Sequence, residues 1–255
     1  MESCTVFANT ARNDCTNCVG YTQKDMVAGN NATGASFVNT SGGPIDLTDI
    51  KMTGYVREDY EFGSIWMQQL SADGGTIEGS AFQWFDDEDN GQGWWDMDNS
   101  QIVEPGEVTL PAGTGLWLES FDNTVKLESA GQVLQAGIDV NLCAGNTLVV
   151  NPYPVAVTLN RLAAGGKFMA IAGYIKDEYE FGSVWMQQLN AEGGTVEGSA
   201  FQWFDDEDNG CGWWDMDNSL IVEDDDVKLD AGIAVWIEAT SEDEKISFPA
   251  LTISK

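Results

Sequence analysis

Histidine is absent from this 255-residue chain. That removes the side chain best suited to proton transfer near neutral pH and the commonest nitrogen ligand for metals. Cations are scarce: 11 Lys and Arg stand against 42 Asp and Glu, a formal net charge of −31. None lies between Arg57 and Lys126, or between Lys176 and Lys228. Such a field repels nucleic acid and anionic membranes, so neither is expected as a partner. Cations, neutral ligands and basic surfaces remain compatible with it. No apolar run is long enough to span a bilayer, so no membrane insertion is expected. Cysteine is limited to Cys4, Cys15, Cys18, Cys143 and Cys211. Cys15 and Cys18 form C-x-x-C, but two further zinc ligands are missing. A disulfide tethering the N-terminal segment, Cys4 with Cys15 or Cys18, is the preferred reading. Without His or a convincing Cys nucleophile, catalysis would fall to a carboxylate pair of the glycosidase kind. Acidic residues are too numerous to single one out, and the chain is expected not to be an enzyme.

What the chain does have is a copy of itself. Tyr60–Ser100 recurs as Tyr179–Ser219, 119 residues later, with changes only at Ile65/Val184, Ser71/Asn190, Asp73/Glu192, Ile77/Val196 and Gln92/Cys211. All ten Trp obey the same offset: Trp66/Trp185, Trp84/Trp203, Trp94/Trp213, Trp95/Trp214 and Trp117/Trp236. A repeat of this length is domain-sized. Just beyond it, QIVEPGEVTLPAGTGLWLES faces LIVEDDDVKLDAGIAVWIEA, where the apolar pattern survives and about half the residues do not. A fold tolerates such drift while volume and pattern are kept.

Strand signals dominate. Ser64–Leu70 and Thr76–Phe85 alternate around the turn SADGG, and short Val/Ile/Leu runs follow between Gly-rich turns. DDEDNGQG reads as a loop. No segment carries a sustained helical stripe. The spacing therefore predicts an all-β chain of two tandem homologous antiparallel β-sandwich or barrel domains related by pseudo-two-fold symmetry. Residues 1–20 form an N-terminal arm, 21–124 the first β-repeat domain and 125–255 the second, with the junction at Phe121–Lys126. The second copy holds about seven extra residues, placed at Gly166–Ala172.

Two kinds of site are suggested. Asp86, Glu88, Asn90 and Gly91 match the first half of an EF-hand-type loop, although Met97 stands where the bidentate Glu belongs. Asp96 or Asp98 could replace it, giving a calcium set Asp86, Glu88, Asn90, Asp96 and Asp98, with Asp205, Glu207, Asn209, Asp215 and Asp217 in the copy. Trp84, Phe85, Trp94 and Trp95, with Trp203, Phe204, Trp213 and Trp214, flank these loops. They are candidate ring platforms for a glycan or anchors for an interface. Trp66 and Trp117 are expected in the cores.

The turn Gln69–Gly74, Gly-x-Gly-Trp-x-Asp-x-Asp (Gly91–Asp98), Leu-x-Ala-Gly-x-Gly-Leu-Trp (Leu110–Trp117), Gly131–Val133, Val149–Leu159 and Phe248–Leu251 carry a resemblance. The chain resembles uncharacterised bacterial secreted proteins with tandem Trp/Asp/Gly-rich β-repeats. In two-copy architecture alone it is similar to the lattice-forming pyrenoid-shell proteins of diatoms. The first resemblance implies a β-rich fold and an extracellular or cell-surface location; the second implies a plastid or pyrenoid setting. Function is read accordingly as non-enzymatic and structural, self-assembling through two pseudo-equivalent halves into a surface layer, filament or shell. The alternative is a bivalent carbohydrate-binding module, with or without calcium.

Overall fold

The computed structural model describes residues 5–7, 18–55, 65–70, 76–120, 124–159, 169–175, 185–189, 195–223, 226–241 and 243–251. Among these, all regular structure is β except one 3-10 turn at Leu47–Asp49. In the first part the strands are Thr5–Phe7 (β1), Val19–Asp25 (β2), Gly29–Gly34 (β3), Ile45–Asp46 (β4), Ile50–Thr53 (β5), Ile65–Leu70 (β6), Thr76–Asp87 (β7), Gly91–Asp96 (β8), Gln101–Ile102 (β9), Thr109–Leu110 (β10), Gly115–Ser120 (β11) and Lys126–Gln132 (β12). The second part contributes Ile138–Asn141 (β13), Gly145–Val150 (β14), Val157–Leu159 (β15), Ala170–Ala172 (β16), Trp185–Leu189 (β17), Thr195–Asp206 (β18), Gly210–Asp215 (β19), Leu220–Ile221 (β20), Val227–Leu229 (β21), Ala234–Ala239 (β22) and Lys245–Phe248 (β23).

The pairings are antiparallel throughout. A six-stranded sheet runs β3-β11-β6-β7-β8-β9, and a second runs β14-β22-β17-β18-β19-β20. A four-stranded sheet, β1-β2-β12-β5, has a three-stranded counterpart in β13-β23-β16; the pairs β10-β4 and β15-β21 complete the set. The strand orders are linear, so no sheet closes into a barrel among the described residues.

Each large sheet buries one face. Trp84, Trp94, Phe82, Leu116 and Leu118 pack with Ile50, Met52 and Leu127 of the smaller sheet and with Val133 just beyond it. Trp203, Trp213, Phe201, Val235 and Ile237 pack in the same manner with Met169, Ile171, Ile246 and Phe248. Every one of these side chains is at most 5% exposed, which removes a large apolar area from water. Within each core the two indoles meet edge to face, Trp84–Trp94 at 5.1 Å and Trp203–Trp213 at 5.2 Å. Trp94 Nε1 donates to the Ile50 carbonyl at 2.8 Å and Trp213 Nε1 to the Met169 carbonyl at 2.7 Å, again 119 residues apart.

The two parts meet through one end of each large sheet. Trp117 and Trp236 lie 6.4 Å apart, over a small cluster of Ala32, Leu148, Val150 and Ala234. Thr114 bridges to Val149, Ser36 Oγ donates to the Asn151 carbonyl at 3.2 Å, and Lys24 Nζ donates to the Gly232 carbonyl at 3.2 Å. Trp117 is therefore half-buried at this contact rather than inside a core, because its strand alternation turns it away from Leu116 and Leu118.

Three boundaries differ from the sequence reading. β12 pairs with β2 and β5, so residues 126–132 complete the first set of sheets, and the changeover falls between Gln132 and Ile138 rather than at Phe121–Lys126. Val19 and Gly20 belong to β2, which also pairs with Thr5–Phe7, so the N-terminal arm supplies a strand. The inserted residues precede Met169: β5 and β16 pair equivalently with β12 and β23, as do β4 and β15 with β10 and β21. The offset is thus 157 − 45 = 112 at Ile45/Val157 and 172 − 53 = 119 at Thr53/Ala172. The expected turn SADGG and the expected Cys4–Cys15 disulfide lie outside the described residues; Cys18 is buried.

Candidate functional site

DDEDNGQG is mostly strand, not loop. Asp86 and Asp87 end β7, Gly91–Gly93 begin β8, and only Glu88–Asn90 turn between them. Asp87, not among the residues singled out from sequence, organises that turn. Its Oδ1 accepts from Asp89 N at 2.9 Å and Asn90 N at 2.6 Å, and the Asn90 amide also bonds its carboxylate. Asp206 repeats the arrangement. Gly91 and Gly210, at φ 77° and 74°, supply the left-handed residue that lets so short a turn close.

Asp86, on β7, and Asp96, on β8, sit near opposite ends of the β7–β8 pairing. Asp96 pairs with Phe82, four residues along β7 from Asp86, a separation of about 14 Å at strand rise. Calcium ligands all lie about 2.3–2.6 Å from one ion. The set Asp86, Glu88, Asn90, Asp96 and Asp98, and its copy Asp205, Glu207, Asn209, Asp215 and Asp217, is therefore not brought together as one coordination sphere. Among the described residues no three carboxylates or thiols converge on a metal position. Asp86 Oδ2 accepts from the Tyr55 hydroxyl at 2.9 Å and the Gln92 amide at 3.1 Å, and Trp84 Nε1 donates to that hydroxyl at 3.0 Å. In the copy Tyr174 donates to Asp205 Oδ2 at 2.5 Å. Burial, the bond to Asp205 and the nearby charge push the Tyr174 hydroxyl up, so it stays protonated and donating. Asp96 caps the second turn, accepting from Asp98 N, Asn99 N and the Asn99 amide at 2.9–3.0 Å. Burial pushes its carboxyl up, but the Asn99 and Asp98 hydrogen bonds outweigh that and hold it below the usual range; Asp215 is held likewise. Asp98 and Asp217 accept from the backbone of Ala81 and Ala200. The exposed Glu88, Asn90, Glu207 and Asn209 remain at the turn tips.

The aromatic set divides as strand alternation dictates. Trp84 and Trp94, cross-strand partners, point into the core at 2% and 1% exposure, as do Trp203 and Trp213. Phe85 faces the other way yet is buried over Gly93, where a Cβ would come within 3.1 Å of its ring; Phe204 is buried too. As packed, these six cannot act as ring platforms or anchors. Trp95 and Trp214 are half-buried on the face opposite the core.

The register assembles a row around them. Across the first large sheet, Asn30 opposes Glu119, Glu119 opposes Trp66, Trp66 opposes Gln83, Gln83 opposes Trp95 and Trp95 opposes Ile102. Across the second, the order is Asn146, Glu238, Trp185, Gln202, Trp214 and Ile221. Residues directly opposite each other share a face of the sheet. Both sheets thus carry Asn–Glu–Trp–Gln–Trp–Ile in one cross-strand line. Asn30, Glu119, Gln83, Gln202, Trp95 and Trp214 are partly accessible, and Asn146 and Glu238 are exposed. Sequence reading missed the row because an eight-residue loop at 86–93 hides the pairing of Gln83 with Trp95. A three-residue turn at 88–90 restores it.

The row residues are kept between the copies while neighbours on both faces of the same strands change. Along β11 and β22 the core residues change, Leu116 to Val235 and Leu118 to Ile237, while Trp117/Trp236 and Glu119/Glu238 on the outer face do not. Along β3 and β14, Gly29/Gly145 and Asn30/Asn146 are kept, while the four following residues all change. Comparison with protein-family models, curated proteins and solved structures returned no match.

Proposed function

We propose that the protein is a non-enzymatic, bivalent carbohydrate-binding module. In this reading two copies of one β-sandwich unit are joined about a pseudo-two-fold axis at Trp117 and Trp236. Each copy holds a saccharide on the outer face of its six-stranded sheet. The observation that carries the proposal is the cross-strand row shared by both sheets, retained in strands whose core residues have drifted. Core volume and pattern constrain the inner face; they do not require Glu119, Gln83 or Asn30 on the outer one. Indole rings offer apolar plates to the C–H face of a sugar, and amides and carboxylates beside them bind its hydroxyls. An uncharged ligand suits a chain of net charge −31. Two equal sites raise avidity for a polymer of repeating units.

Lattice assembly through the two halves draws less support. In the two-fold arrangement proposed above their equivalent faces meet each other at Trp117 and Trp236, which lie 6.4 Å apart, and a contact closed about a two-fold axis does not propagate. The proposed anchors Trp84, Trp94, Trp203 and Trp213 are core residues. The test of the carbohydrate reading is affinity electrophoresis through gels containing neutral soluble polysaccharides. The native chain is expected to be retarded, and the Trp95→Ala, Trp214→Ala double variant, shown folded by circular dichroism, is not. A native chain that no neutral polysaccharide retards refutes the proposal.

A further inference from the structure

We infer that the ligand is an extended, β-1,4-linked neutral glycan lying across the strands, with one sugar over each strand of the row. The inference rests on the carbohydrate-binding reading above and deepens it. Neighbouring strands lie about 4.7–4.9 Å apart, close to the length of one sugar unit in an extended β-1,4-linked chain. Trp66 and Trp95 occupy strands β6 and β8, with Gln83 between them on β7. The ring-bearing positions therefore recur every second strand, as Trp185 and Trp214 do around Gln202. In an extended β-1,4-linked chain successive sugars are turned over, so every second sugar presents the same face. The register line matches that alternation: every second strand carries a Trp at the row position, and the strand between carries a Gln. Glu119 and Asn30 extend the polar end of the line across β11 and β3. Glycans that coil, such as α-1,4- or β-1,3-linked glucans, change the direction of the ring normal along the chain and cannot keep this period.

Strand twist refines the ligand. Adjacent strands are rotated by about 20–25°, so the backbones carrying the two Trp differ by roughly 40–50°. A single soluble chain can follow that rotation; the flat face of a crystalline fibre cannot. Charge points the same way as before, since Glu119 and Glu238 lie in the row and would repel a uronic-acid polymer.

The test is a titration of the full chain with cellohexaose, xylohexaose, laminarihexaose and maltohexaose, read by intrinsic tryptophan fluorescence and calorimetry. The β-1,4-linked hexaoses are expected to bind at least tenfold more tightly than the β-1,3- and α-1,4-linked ones. Affinity should rise with β-1,4 chain length from two to about six sugars, the span of six strands. Gln83→Ala with Gln202→Ala should weaken the hexaose by several-fold while melting unchanged. Equal or tighter binding of laminarihexaose or maltohexaose overturns the inference and leaves carbohydrate binding standing. An affinity that stops rising at the disaccharide overturns it too, because it assigns one ring per ligand. Failure of every oligosaccharide to bind removes both readings together.

Discussion

Placing a methyl group at Gly115 or Gly34 perturbs the contact between β3 and β11 on one side and β14 on the other. A Cβ on Gly115 would stand 2.5 Å from the Leu148 carbonyl oxygen and 2.6 Å from Leu148 Cγ. On Gly34 it would stand 2.3 Å from the Thr114 carbonyl oxygen and 2.7 Å from Val150 Cγ1. In both cases backbone must move, since the nearest atoms are not the free ends of flexible side chains. Where the second part is equivalent, Val150 and Ala234 pair on the same face, so one part supplies a hollow and the other fills it. Gly→Ala by itself stabilises by about 0.4–1 kcal/mol through the unfolded chain. Overpacking costs about 1–3 kcal/mol. The overpacking term wins, and each single variant should lose about 1–2 kcal/mol, the double variant more. At about 2–4 °C per kcal/mol for a unit of this size, that is a fall in Tm of about 2–8 °C. Differential scanning calorimetry and urea denaturation of Gly34→Ala, Gly115→Ala and the double variant measure it. Leu148→Ala should recover part of the loss caused by Gly115→Ala, since the two sites share one contact. Variants as stable as the native chain, or more so, would refute the close approach of β3 and β11 to β14.

Other outcomes follow from the turns and the cluster at Asp86. Asp96→Ala and Asp215→Ala each strip the acceptor from two backbone N–H groups and an amide, and should cost about 1–2 kcal/mol; Asp→Asn, which keeps one acceptor oxygen, should cost less in the same denaturation assay. Because both carboxyls are held below their ordinary range, their stabilisation is complete above the unfolded value near pH 4 and fades as pH falls through the folded one. An acid titration of stability should therefore be shallower in the double Ala variant. Cys211→Gln restores the amide that Gln92 gives Asp86 at 3.1 Å and should stabilise the second part by about 0.5–1.5 kcal/mol, read as a higher urea midpoint. Calcium at millimolar concentration should raise Tm no more than magnesium does, because the acidic side chains are split between the two ends of the β7–β8 and β18–β19 pairings; a calcium-specific rise would restore a metal site.

The all-β character was legible because Val, Ile and aromatic residues alternate between Gly-rich turns, and the 119-residue offset of the Trp foretold equivalent pairs such as Trp84–Trp94 and Trp203–Trp213. What escaped was which side of the sheet each ring takes. Asp86 and Asp87 look like loop residues, yet the Tyr55 hydroxyl and the Gln92 amide satisfy Asp86 inside a strand. Counting them as loop shifted the hairpin, hid Gln83 opposite Trp95 and left the buried Trp84 and Trp94 looking like surface plates. Trp117 escaped for another reason: its burial is supplied by Trp236, a partner 119 residues away that no local pattern reveals. That Trp117/Trp236 and Glu119/Glu238 are kept while Leu116/Val235 and Leu118/Ile237 change was visible in the sequence, but it acquires meaning only once the register says which positions share a face.

The most direct measurement is calorimetric titration of the native chain, Trp95→Ala, Trp214→Ala and the double variant with a soluble neutral β-1,4-linked hexaose. Two equivalent sites predict a stoichiometry of two for the native chain, one for each single variant and no detectable heat for the double variant. Unchanged stoichiometry and affinity in the double variant, with all four proteins folded, would contradict the assignment of the outer sheet faces as the binding sites.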